Sequence, residues 1–284
     1  MKNYVKLFCA SIFAFFFTVT IINATLNQHK ADEIVSQKVK ELFCLINKNW
    51  TYAEYDNECY TESEYWKPII VDGPDFKYVT LKLINHRCNV IEALRDLPTK
   101  KARLECATVF SLVKSLCLLE LMGENNFNIW LKDLSKYQYK PSEDGFFNSI
   151  QGVFYAEKQA EESGFYYIHN HPSYNKLKPS GNAAGYNGFL FPDQTFITFD
   201  PHHFIEPKSI EDTQRILFND LLSDEHVYNH DLHTIFKIQY GSDNGFNKIL
   251  ETCLAKKQAS EKPFNFDANR INRYLKKGIT VLFE

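Results

Sequence analysis

The stretch from Cys106 to Gly123, CATVFSLVKSLCLLELMG, constrains the rest of the chain more than any other. Cys106, Val109, Phe110, Val113, Leu116, Cys117 and Leu121 recur at helical spacing, and Gly123 stands where a helix stops. The spacing predicts a buried helix of about five turns, which other layers must cover. Upstream, KADEIVSQKVKELFCLINKNW places Ile34, Val35, Val39, Leu42, Phe43 and Ile46 on one face of an amphipathic helix. YWKPIIVDGPDF breaks the pattern with two prolines and a glycine, KYVTLKLI alternates like a strand, and NVIEALRDL reads as a short helix ending at Pro98. Downstream, YKPSEDGFFNS is a loop, and GVFYAEKQAEESG fits helix or strand. FYYIHN has strand composition, and GFLFP and TFITFD form a hairpin over a two-residue turn at Asp193 and Gln194. Ser209 followed three residues later by Asp212 marks a helix start, and GITVLFE reads as a terminal strand. Helices first and strands afterwards predict an α+β domain with a largely antiparallel sheet.

At 284 residues one main domain is expected, and 44% hydrophobic with 24% charged residues is ordinary globular composition. A formal net charge of -3 supplies no field to gather a polyanion, so no nucleic acid partner is expected. The N-terminus differs: Lys2 and Lys6 precede LFCASIFAFFFTVTII, and Ala24 supplies a small residue beyond it. Residues 1–24 thus read as a cleaved signal peptide, and the protein as secreted or periplasmic. The competing reading is an uncleaved anchor over Val5 to Ala24, the one case in which a membrane becomes a partner. Residues 25–75 form a helical N-terminal appendage and 76–284 the main domain, with the boundary in the Pro- and Gly-containing stretch.

Export bears on the cysteines. Losing Cys9 leaves Cys44, Cys59, Cys88, Cys106, Cys117 and Cys253, too sparse for a disulfide framework to be read from spacing. Cys44 and Cys59 are the expected bridged pair, whereas Cys106 and Cys117 cannot pair along one helix. Asn49 to Thr51 is a glycosylation sequon. Cys106 admits two readings. As a nucleophile it gains from the helix start, whose free N–H groups and positive dipole end favour the thiolate, and Ala107 leaves room for a substrate. As a core thiol it merely continues the stripe of Val109, Phe110 and Val113. The carboxylate of Glu105 beside it opposes the thiolate unless it acts as the base or orients one.

The segment ALRDLPTKKARLECAT, then GE at Gly123 and Glu124 and FN at Phe127 and Asn128, resembles the spore-coat protein-glutamine γ-glutamyltransferases, or transglutaminases, of endospore-forming bacteria. The similarity keeps the Glu-Cys-Ala-Thr opening and the Gly-Glu-x-x-Phe-Asn close at the same ungapped spacing, and thins out over YYIHNHPSYNKLKPSGNAAGYNGFLFPDQTFITFD. It covers residues 76–200. The resemblance implies a papain-like fold related to NlpC/P60 peptidases, with a cysteine-bearing helix packed on a small antiparallel sheet. It implies that Cys106 attacks the carboxamide of a protein glutamine, expels ammonia and holds a thioester that a lysine amine resolves into a crosslink. The partner is a protein bearing glutamine and lysine side chains, and no metal or organic cofactor is implied.

The family carries a glutamate opposite its cysteine. Here that place reads AGYNGF, so Tyr186 or Asn187 occupies it and no carboxylate is present. A neutral amide orients and donates hydrogen bonds but takes no proton from a thiol at neutral pH. The candidate bases are Glu105, His169 and His171, Asp200, and His202 and His203, of which a histidine suits proton exchange best. His226, His230 and His233 have zinc-like helical spacing but lack a glutamate between them and read as solvated histidines. Two alternatives accompany the transferase: a deamidase or NlpC/P60-type cysteine amidase, and a non-catalytic secreted binding or structural protein that has lost its base.

Overall fold

In the computed structural model the described residues are 26–52, 58–72, 77–85, 88–136, 153–158, 162–169, 185–199, 206–210, 212–213 and 264–277. The signal-peptide segment, Cys253 and the expected GITVLFE strand lie outside them. Helix α1 (Gln28–Asn49) starts at Asn27, whose side chain accepts the Lys30 N–H at 2.8 Å. The helix buries Ala31, Val35, Val39, Leu42, Phe43 and Ile46 along one face, as the apolar spacing requires. Next come β1 (Trp50–Tyr52), β2 (Tyr60–Thr61), β3 (Trp66–Asp72) and β4 (Lys77–Leu83). Helix α2 (Val90–Asp96) follows, capped by Asn89 and ended by a 3-10 turn over Leu97–Thr99, and then β5 (Ala102–Leu104).

The stretch YWKPIIVDGPDF departs from its reading as a break. Its first half is strand β3, paired antiparallel with β4 from Trp66 opposite Leu83 to Asp72 opposite Lys77. Pro68 is tolerated because a two-stranded ribbon leaves an edge where no N–H is needed. Trp66 is 1% exposed and donates its indole N–H to the Ala93 carbonyl at 2.7 Å, and the Trp50 indole donates to Lys100 at 3.0 Å. Residues of α1, β3 and α2 therefore lie in the same hydrophobic core as the helices and strands that follow.

Helix α3 (Cys106–Met122) runs through the middle of that core and is buried on nearly every side. Gly123, at φ 73°, ends it with a left-handed backbone that a side chain would strain. Helix α4 (Glu124–Lys136) leaves at a bend of 118°, and an Arg95 to Glu124 ion pair of 2.6 Å ties α2 to its start. Among the described residues no single helix is long and apolar enough to cross a membrane.

On the other side of α3 lies a five-stranded antiparallel sheet of β6 (Tyr155–Glu157), β7 (Gly164–His169), β8 (Gly185–Leu190), β9 (Phe196–Thr198) and β10 (Phe264–Phe266). Its order is β6-β10-β7-β8-β9, so the late strand β10 inserts between two earlier ones. Helix α5 (Ala268–Lys277) follows and returns to α1, where the Asn272 amide donates to the Leu26 carbonyl at 2.6 Å. The protein is thus mixed α+β, with helices on one face of an antiparallel sheet and smaller sheets beside them.

Two local expectations need correction. The β8–β9 loop has three residues rather than two: Phe191 and Thr195 close it, Gln194 N–H bonds to Phe191 at 3.0 Å, and Gln194 takes φ 65°. Pro192 fixes the first corner of a type I turn, which requires a third residue in left-handed geometry to restore the register. The Asp193 carboxylate accepts from the Thr195 hydroxyl at 2.6 Å and backbone N–H at 3.0 Å, which holds it below the usual carboxylate range. The second correction concerns the cysteines. Cys44 and Cys59 form no bridge, because Cys44 sits on the exposed side of α1 whereas Cys59 packs against the core. At Ser209 the expected cap is present, its hydroxyl accepting the Asp212 N–H at 3.0 Å.

Candidate active site

Cys106 is the first residue of α3, and Glu105 is its N-cap in extended geometry. Glu105 makes no side-chain hydrogen bond to the helix end, so the N–H groups of the first turn are not covered by a capping carboxylate. Thr108 takes the anchoring role instead: its hydroxyl donates to the Val79 carbonyl at 3.1 Å, fixing the first turn against β4. The thiol of Cys106 is half-buried, unlike that of Cys117, which is fully enclosed and pushed far above its ordinary value by burial. The two cysteines share a stripe in sequence, but the one at the helix end escapes the core.

Opposite it stands β8. The Asn187 side-chain amide reaches the Cys106 sulfur, Nδ2 to Sγ 3.8 Å, a long contact for a donor on sulfur. Of the two residues in the corresponding stretch, Asn187 therefore faces the thiol, while Tyr186 is buried in the core at 4% exposure. One turn further along α3, Phe110 packs against Phe165 and Phe199 with ring centroids 5.5 and 5.6 Å apart. This aromatic contact fixes the height and rotation of the helix over the sheet, and with it the position of Sγ over Asn187.

The neighbouring strand completes this end of the sheet. Tyr167 pairs directly with Asn187, and His169 with Gly185. The Tyr167 ring lies edge-on to the His169 ring at 4.8 Å and covers Gly185 so closely that a Cβ there would collide with it and with the Ile168 carbonyl. Sequence reading missed Tyr167 and Thr108. The alternation Phe165, Tyr167, His169 along β7 was the available signal for the first, since those three share one face of the strand.

His169 thus stands at the same end of the sheet as Asn187, two strand positions from its cross-strand partner. Glu105 is adjacent to the thiol in sequence, and the Thr108 hydroxyl lies 3.5 Å from its carboxylate. His171, Asp200, His202, His203, His226, His230 and His233 lie outside the described residues. Among the described residues no three histidine, cysteine, aspartate or glutamate side chains are grouped to hold a metal ion.

Chemically the arrangement presents a thiol at a positive helix end with a neutral amide donor beside it. Both features stabilise a thiolate over a thiol, and both suit an oxyanion forming next to that sulfur. No family model, curated protein or solved structure matches the chain.

Proposed function

We propose that the protein is an exported thiol acyltransferase of the transglutaminase type, with Cys106 as nucleophile and protein glutamine as acyl donor. The observation that carries this reading is the 3.8 Å contact of the Asn187 amide with Sγ at the start of α3. A cysteine kept only for packing needs neither a helix end nor a polar partner on the facing strand. The finer fold reading, a papain-like core related to NlpC/P60 peptidases, belongs to the same proposal; a cysteine-bearing helix lying on an antiparallel sheet supports it.

In the proposed reaction the Cys106 thiolate attacks the side-chain carbonyl carbon of glutamine. The Asn187 N–H and the backbone N–H groups of the first turn receive the developing negative charge on oxygen. The C–N bond breaks, ammonia leaves with the proton given up by the thiol, and a γ-glutamyl thioester remains. A lysine amine then attacks the thioester, forms the isopeptide bond and returns a proton to the sulfur. Asn187 orients and stabilises without titrating, so His169 is the proposed proton carrier.

The test is incorporation of a fluorescent primary amine into a glutamine-bearing protein. Incorporation by the wild-type chain, abolished in Cys106→Ala, is the expected result. Ammonia release without incorporation would move the reading to a deamidase or amidase. Neither signal, with Cys106 alkylated no faster than Cys88, would leave a binding or structural protein, since burial pushes the Cys88 thiol up and makes it the inert reference.

A further inference from the structure

Helix α5 buries Ala268, Ile271 and Tyr274 against the core, while Asn269, Arg273, Lys276 and Lys277 are exposed to solvent. Leu275 beside them is 39% exposed. The other charges around the helix are spent within the protein. Arg270 donates to the Tyr155 carbonyl at 2.8 Å and lies 3.5 Å from the Asp267 carboxylate, which also accepts the Asn269 N–H at 2.8 Å. Asp133 accepts the Tyr274 hydroxyl at 3.2 Å. Among the described residues no carboxylate lies within ion-pair distance of Arg273, Lys276 or Lys277, so these cations stand uncompensated at the end of the helix.

The place of α5 next to the start of the domain gives these charges a use. The Asn272 side chain accepts the Leu26 N–H at 3.2 Å and donates to the Leu26 carbonyl at 2.6 Å, so both backbone groups of Leu26 are held on α5. Lys276 is the i+4 neighbour of Asn272, one turn further along the same side of the helix. Lys30 adds an exposed cation in the first turn of α1. Immediately upstream runs the apolar stretch from Val5 to Ala24, long enough to cross a bilayer. The chain spans at most about 3.6 Å per residue, so a bilayer holding Ala24 would lie within about 7 Å of Leu26. That is inside one Debye length, roughly 8 Å at physiological salt, so Lys276 beside Asn272 would feel the charge of the headgroups.

We infer that residues 5–24 stay in place as an anchor, and that the Arg273, Lys276 and Lys277 face of α5 rests on the anionic lipid headgroups around it. The apolar segment supplies insertion and the basic face supplies orientation, since so few cations hold a protein on a membrane only when a second signal accompanies them. A polyanion arriving from solution meets a chain of formal net charge -3, whereas the anchor brings the lipid surface to the basic face directly. Nothing in this inference depends on Cys106 or on acyl transfer.

The full chain is placed in nanodiscs of phosphatidylcholine, either alone or with about 30% phosphatidylglycerol, and its lysines are acetylated with a water-soluble N-hydroxysuccinimide ester. Mass spectrometry reads each site against Lys48, an exposed lysine about 30 Å along α1 from Leu26. Lys276 and Lys277 should label about tenfold more slowly in the anionic discs than in the neutral ones. The difference should vanish in about 1 M salt, where the Debye length falls to roughly 3 Å. Arg273→Gln, which removes one exposed cation, should weaken that protection about fivefold. The inference is overturned if the chain enters neither disc, if the two lysines label equally in both lipids, or if neutral discs protect them as well. Protection by an added DNA duplex in neutral discs, without protection by the anionic lipid, would overturn it in favour of a nucleic acid surface.

Discussion

Replacing Asn187 with alanine removes a polar contact that the facing strand makes on the candidate nucleophile. A hydrogen bond to a charged partner contributes about 1.5–3 kcal/mol in general. The distance of 3.8 Å is long, and Cys106 is only half-buried, so the lower figure applies. About 1.5 kcal/mol less stabilisation of the thiolate corresponds to a roughly tenfold smaller thiolate fraction at neutral pH. The assay is the rate of iodoacetamide alkylation of Cys106, followed by mass spectrometry of its peptide from pH 6 to 10. Cys44, exposed on the far side of α1, serves as the internal standard. Asn187→Ala should label Cys106 about tenfold more slowly than the wild type near pH 7, and the two rates should converge at high pH, where both thiols are ionised. Equal rates at pH 7 would refute the reasoning, because the amide would then not be acting on the sulfur at all. A deficit that persisted at high pH would also refute it, pointing to a change in access rather than in charge.

Further predictions concern the framework beneath the site. Lys114 lies 4.3 Å over the Phe110 ring and within 5.8 Å of Tyr155 and Phe264; those rings favour its charge, but burial outweighs them and lowers it from 10.5 to about 8. Its folded value lies below its unfolded one, so the unfolded chain binds more protons between about pH 8 and 10.5, and this group's contribution to stability rises with pH across that window. Lys114→Met should raise stability at pH 7 by up to about 3 kcal/mol and abolish that rise, as measured by urea unfolding at several pH values. Phe110→Ala should cost about 3 kcal/mol or more by leaving a cavity against Phe165, Phe199 and Phe264, and should slow Cys106 labelling because α3 is no longer held over the sheet. Gly185→Ala forces a Cβ into the Tyr167 ring and the Ile168 carbonyl, so unfolding should show a loss of about 1–3 kcal/mol, with Gly164→Ala a second close-contact control against the Phe264 carbonyl.

Much of the architecture was legible because it rests on local rules. The faces of α1 and α3 follow from apolar spacing, the end of α3 from Gly123, and the short α2 from Pro98. Strands β4, β7 and β8 follow from their composition. What was missed depended on contacts distant in sequence. Strand β10 is three residues, FNF, too short to carry a period; it forms because Phe264 and Phe266 fill the space beside Phe165 and Tyr155. Strand β3 holds a proline that argues against a strand until its partner is known to leave that edge open. Helix α5 carries Ala268, Ile271 and Tyr274 on one face, a pattern readable in principle but short enough to be overlooked.

The site divides in the same way. From sequence alone Cys106 had two standings, nucleophile or core thiol, since a helical stripe records only which side a residue faces and not where the helix end is exposed. Likewise AGYNGF left Tyr186 and Asn187 equivalent, because neighbours on a strand face opposite ways and the pattern does not say which way is in. The packing of Phe110 onto Phe165 and Phe199 decided both, setting the helix end above β8 and bringing the Asn187 amide to the sulfur. Local periodicity, a property of the backbone, is written in the chain; the pairing of one side chain with another 81 residues away depends on how two layers interlock, and only the tertiary structure fixes that.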